Sequence, residues 1–102
     1  MGEAAIPEFS LALFEPLLGQ VFRIGDDPHA VDARLVEANN LREAQGMGRL
    51  SRQFSLLWLG PREANLAQGI YRVSHPSLPP LELFLVCLGP VADGMRYEAV
   101  FT

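Results

Sequence analysis

Residues 68–90 read QGIYRVSHPSLPPLELFLVCLGP, and how this stretch folds decides the architecture. Residues 68–74 alternate as a β-strand does, with Ile70, Arg72 and Ser74 on one face and Tyr71 and Val73 on the other. His75-Pro76-Ser77-Leu78-Pro79-Pro80 carries turn chemistry. A second strand over residues 81–88 follows, stopped by Gly89-Pro90. Within it, residues 83–88 are apolar without interruption, and a run of that kind is expected to have both faces covered. The rest of the chain then has to supply the cover. The run joins β propensity to an absence of charge, which makes it the aggregation hazard of the molecule. Pro79-Pro80, Glu82 and Gly89-Pro90 flank it as gatekeepers.

Working outward, four more strands are legible. Residues 20–24 put Phe22 and Ile24 on one face, and residues 30–38 alternate Val31, Ala33 and Leu35 with Asp32, Arg34 and Val36. Residues 54–59 place Phe54, Leu56 and Trp58 together, and residues 95–101 alternate Met95, Tyr97, Ala99 and Phe101 with Arg96, Glu98 and Val100. Gly25-Asp26-Asp27-Pro28, Gly60-Pro61 and Gly94 punctuate them. Near the start, Ser10 is placed to cap a helical turn that ends by Gly19, with Phe14, Leu17 and Leu18 as an apolar plug for the end of a small barrel. Residues 1–8 read as a loose terminus and residues 39–53 as a mobile loop. The whole, residues 1–102, is expected to be one mainly-β domain. It would be a small antiparallel six-stranded barrel or sandwich with a short N-terminal helical turn. Because sequential strands usually pair, an up-and-down order is the first expectation.

Composition narrows the function. The chain is 49% hydrophobic with a mean hydropathy of +0.15, more apolar surface than a domain of 102 residues readily hides. A protein partner or a homo-oligomer would absorb the excess. The net charge is −4, and all eight basic residues are arginine. No basic stripe is present to neutralise a run of phosphates, which argues against nucleic acid. No uncharged run approaches the roughly 20 residues a bilayer span needs, and the acidic start MGEAAIPEF lacks the pattern of a secretory leader. A single cysteine, Cys87, makes no internal disulfide. The expected location is the cytoplasm.

Candidate chemistry is sparse. His75 at the mouth of a turn would need a partner such as Glu82, across the hairpin, to act as a general base. The plainer reading is a turn histidine bonded to backbone. His29, close in sequence to Asp26, Asp27 and Asp32, has the ligand types of an oxygen and imidazole metal site, but a histidine in such a turn more often caps its own backbone. Arg42, Arg49 and Arg52 make the 39–53 loop locally cationic and able to grip an anion, although a solvated loop accounts for them equally. Cys87 inside an apolar run reads as a small core residue. Tyr71, Tyr97 and Trp58 are the natural lining if a barrel encloses a small-molecule ligand, with side-chain filling as the commoner outcome. No catalytic, cofactor-binding or metal-binding residue is assigned, and no cofactor is expected.

Taken in order, FEPLLGQVFRI, FSLLWLGP, QGIYRVSHP, LELFLVCLGP and DGMRYEAVF resemble the string of motifs in an uncharacterised family of short bacterial all-β domains. The shared features are Gly-Gln-x-Phe, a Phe-Ser strand ending in Gly-Pro, Gln-Gly-x-Tyr, His-Pro and a closing Tyr-Glu-Ala-Val-Phe. They extend over residues 14–101. Cys87, where the family carries proline, and Pro79, where it carries glycine, depart from the pattern and bear on turn geometry. The resemblance implies no established activity or ligand. Through an association with phage-tail-like neighbours, it implies an accessory or structural role. The sequence therefore leads to the expectation of a non-enzymatic protein-interaction or structural module, with a small-molecule-binding β-barrel as the alternative.

If residues 81–88 form a central strand, Leu85→Asp leaves the protein unfolded or insoluble, whereas Cys87→Ala changes stability little. Soluble yield and thermal melting of the two variants check this, and a soluble, cooperatively melting Leu85→Asp protein would sink the assignment.

Overall fold

A computed structural model describes residues 10–40 and 53–101. Six strands close into one antiparallel barrel: β1 (Val21–Ile24), β2 (Val31–Asn40), β3 (Phe54–Gly60), β4 (Gly69–His75), β5 (Leu78–Val91) and β6 (Gly94–Phe101). The period-2 patterns set the faces. Phe22, Ile24, Ala33, Leu35, Phe54, Leu56, Trp58, Val73, Leu81, Leu85, Tyr97 and Ala99 are all buried together in the interior. Among the described residues, no helix is long and apolar enough to cross a membrane.

The order around the barrel is β1-β2-β3-β6-β5-β4, which corrects the up-and-down expectation. Instead of turning back beside β3, the chain crosses to β4, which is the stave diametrically opposite β3 in that order. The connection, residues 61–68, is too long for a tight hairpin. Its eight residues reach up to roughly 25 Å when extended, enough to cross the mouth. The barrel is thus two three-stranded meanders, β1-β2-β3 and β4-β5-β6. They are joined at β3 with β6, from Phe54↔Phe101 to Gly60↔Met95, and at β1 with β4, through Arg23↔Ser74 and Ile24↔Val73.

One mouth is plugged by α1 (Leu11–Phe14) and a 3-10 turn (Glu15–Leu17) containing Pro16. Leu11, Phe14 and Leu17 are buried, whereas Leu18, expected in the plug, is exposed. At about three residues per turn, the 3-10 turn carries Leu17 onto the side of Phe14 and leaves Leu18 outside. Phe14 lies 5.7 Å from Phe54 and 5.8 Å from Phe101, whose rings stack at 4.4 Å. Ser10 makes no side-chain cap; its carbonyl accepts from Leu13 N–H at 3.1 Å. Gly19, at φ +87, turns the chain into β1, and its N–H reaches Leu35 O at 2.7 Å.

Strands run longer than expected where turns are tighter. The β4–β5 turn is only Pro76-Ser77, since His75 pairs with Leu78. Pro79 and Pro80 belong to β5. They sit beside the register shift between Val73 and His75 and beyond the reach of β6, where the lost amides break little of the ladder. β2 continues through Asn39 and Asn40, where a loop from residue 39 is expected from the sequence. The rest of that loop, with Arg42, Arg49 and Arg52, lies outside the described residues, as does the 1–8 terminus.

The expectation that residues 83–88 are covered on both faces is overturned. Leu83, Leu85 and Cys87 face the core, while Phe84 and Leu88 on the outside are 52% and 40% exposed. A six-stranded barrel is a single layer around its core, so one face of every stave meets whatever surrounds the molecule.

Gly94 opens β6 where its α-carbon faces Gly60 O so closely that an added Cβ would overlap that oxygen. Gly94→Ala is therefore expected to cost about 2 kcal/mol or more, in the range of overpacked sites, with Gly69→Ala, whose nearest neighbour would be 4.0 Å away, as the mild control. Chemical denaturation of both variants measures the difference.

Candidate functional site

His75 ends β4 and turns into the barrel, buried. Ser77 N–H donates to its Nδ1 at 3.0 Å. A backbone amide can only donate, so Nδ1 carries the lone pair and the ring proton sits on Nε2. Nε2–H then donates to Gln20 Oε1 at 2.8 Å. The ring packs on Phe22 with centroids 4.8 Å apart. Glu82, by contrast, is exposed on the outer face of β5, opposite Arg72. His75 and Glu82 point to opposite sides of the sheet, so the geometry a general base and its partner require is not assembled. The histidine works as a clasp between β4 and the residue preceding β1.

The β1–β2 turn holds the aspartates near His29. Arg23 Nη2 donates to Asp27 Oδ1 at 2.9 Å, and Arg72 Nε lies 3.9 Å from Asp26 Oδ1. His29 N–H closes the turn on Asp26 O at 3.0 Å. Arginines answer these carboxylates, and no cluster of three or more metal-ligating side chains occurs among the described residues.

The aromatic trio is occupied by structure. Trp58 packs edge-on against Phe22 at 5.6 Å. The other two residues hold the strap formed by residues 61–68 across the second mouth. Tyr97 OH donates to Ala64 O and accepts from Leu66 N–H at 3.2 Å. Tyr71 OH donates to Ala67 O at 2.6 Å. Leu66 packs against the core beneath the strap. Arg62 Nη1 donates to Val91 O at 3.0 Å and pins its first residues to the end of β5. Cys87 Sγ, half-buried on the inner face, lies 4.0 Å from Asn65 Oδ1. Two surface grooves of about 400 and 380 Å³ flank β1 and share Val21 and Asp32.

What composition hinted at but sequence did not locate lies on the outer face of β4, β5 and β6. Ile70 pairs with Phe84. The β5–β6 ladder opens at Val86↔Glu98, and Phe84 and Val100 each lie two residues beyond it on the same outward face. Val100 in turn pairs with Ser55, which is buried and ends the row. Ile70, Phe84 and Val100 are 71%, 52% and 54% exposed. No motif marks them; each is the outward member of a strand whose inward members form the core.

This is a small closed six-stranded β-barrel, plugged at one mouth, strapped at the other and apolar along one flank. The chain belongs to the family described as Domain of unknown function (DUF6916), which matches residues 9–101. Neither a curated protein nor a solved structure matches it.

Burial holds the Tyr97 phenol above its ordinary value of 10.0, partly opposed by the hydrogen bond from Leu66 N–H. The folded chain thus prefers the neutral phenol. Its contribution to stability is fully present below pH 10.0 and is lost as pH rises through the higher folded value. The chain has no lysine, so no ammonium side chain titrates in that window. Tyr97→Phe is expected to cost about 1–3 kcal/mol by leaving Ala64 O and Leu66 N–H unpaired, and to flatten the fall in melting temperature above pH 10.0. Calorimetry from neutral to alkaline pH compares the two proteins.

Proposed function

We propose that this domain is a non-enzymatic protein-interaction or structural module whose contact surface is the outer face of β4, β5 and β6. Its work is to be an accessory part of a larger bacterial or phage-derived assembly. The observation that carries the reading is the exposed row of Ile70, Phe84 and Val100. Three large apolar side chains on neighbouring strands form a contiguous exposed patch, the kind of surface on which a partner can settle. Covering their exposed halves would return on the order of 3 kcal/mol. Association costs more than that, so the polar residues around the row must contribute to any stable contact. The apolar excess of the composition points the same way.

The small-molecule reading has one feature in its favour, the buried Trp58 Nε1, which has no hydrogen-bond partner. One orphan donor among close-packed Phe22, Leu35, Leu56, Leu85 and Tyr97, each almost fully buried, is a weaker ground than a row of exposed side chains.

A photo-crosslinking benzophenone amino acid at position 84, expressed in the cell of origin, tests the proposal against the same group at position 32, on the opposite flank of the barrel. Light-dependent protein adducts from position 84 and not from position 32 are expected. Equal or absent adducts from position 84 would overturn the reading.

A further inference from the structure

Resting on that reading, we infer that the occupant of the apolar flank is a second copy of this chain, packed across a two-fold axis at Phe84. The argument lies in the placement of charge around the row. Arg72 is on β4, two residues beyond Ile70, and pairs with Glu82. Glu98 is on β6, two residues before Val100, and pairs with Val86. Glu82 and Val86 lie two residues to either side of Phe84, so Arg72 and Glu98 occupy diagonally opposite corners about it. Both corners face outward, on the side of the sheet that carries Ile70, Phe84 and Val100.

The same face also carries Glu82 beside Arg72 and Arg96 beside Glu98, so its apolar centre is flanked by both signs of charge, and the diagonal pair Arg72 and Glu98 can answer itself across a two-fold axis. A two-fold axis running diagonally through Phe84 brings Arg72 of one copy over Glu98 of the other. The same rotation makes the reverse pair, so each contact occurs twice, as an isologous interface requires. Phe84 meets Phe84 at the centre, and Ile70 comes to rest near the partner's Phe84 and Val86. Arg72 stands across the ladder from Glu82 on the same face, its side chain is 52% exposed, and its ion pair with Asp26 is long, at 3.9 Å. An arrangement with parallel rows would instead set Arg72 past Phe101, the end of β6, and away from Glu98. Charge thus selects the diagonal packing, and the apolar row supplies its centre.

The test uses the purified full chain and measures mass by sedimentation equilibrium over micromolar to millimolar concentration. The wild-type protein is expected to pass from monomer to dimer. Phe84→Asp is expected to remain monomeric with an unchanged circular dichroism spectrum, and Ile70→Ser serves as a milder second variant at the same face. Arg72→Glu and Glu98→Arg should each weaken the dimer about tenfold, because every lost pair is lost twice. The combined Arg72→Glu, Glu98→Arg protein should recover most of that loss, which a merely hydrophobic contact would not do. A wild-type chain that stays monomeric throughout, or a double variant no better than the singles, overturns the inference. Adducts from position 84 that contain another protein, together with a monomeric purified chain, would overturn the second copy while leaving the proposed contact surface standing.

Discussion

The narrow seam between β1 and β4 is the constraint on which the rest of the molecule depends. β1 has four residues, and its ladder with β4 holds two pairs. One bond extends it at each end: Gly25 N–H to Arg72 O at 2.7 Å, and the Gln20 side chain to His75 at 2.8 Å. Phe22 packs against the same imidazole with its ring tilted by 43°. Were this seam to part, the cylinder would become an open sheet with two unpaired edges, and Phe22, Ile24 and Val73 would meet water. His75 matters because it closes a sheet, and its distance of 55 residues from Gln20 makes that role invisible to local reading.

The two ends answer the same need by different means. At one mouth the chain inserts Leu11, Phe14 and Leu17 as apolar mass. At the other it lays backbone across the opening and satisfies the exposed polar groups of that backbone with tyrosine hydroxyls from below. Most of the strap is exposed, and the groups it turns toward the barrel, at the half-buried Ala64 and Leu66, are the ones that Tyr97 pairs. Tyr71 and Tyr97 are large enough to reach them and apolar enough to fill the barrel beneath. Residues that looked like the walls of a ligand cavity are the posts of its lid.

The fold was legible where physics is local. Strand faces followed from alternation, because adjacent side chains on a strand must point opposite ways; Phe22 with Ile24 and Phe54 with Trp58 needed no more than counting. Strand order was not legible, because alternation says which face a residue takes and nothing about which strand lies beside it. β3 pairs with β6, across the whole second meander in sequence. Residues 83–88 hid their outward face for a related reason. When both faces are apolar, the alternation that would separate Phe84 from Leu85 has no contrast. Phe84, the centre of the candidate contact surface, lies inside the same apolar run as the core residue Leu85.

The pairing of two meanders has a kinetic consequence. Four of the six ladders join strands that follow one another in sequence: β1 with β2, β2 with β3, β4 with β5, and β5 with β6. Only the two joins between the halves are distant in sequence. Loop-closure entropy must be overcome for those two before their contacts return anything. The speed of folding is then governed by how soon the halves find each other, and the strap of residues 61–68, as the one covalent link between them, sets their local concentration. Until they meet, the long apolar edge of β3 has no neighbour on the side that β6 will take. The strap thus limits how long the chain remains vulnerable while it folds.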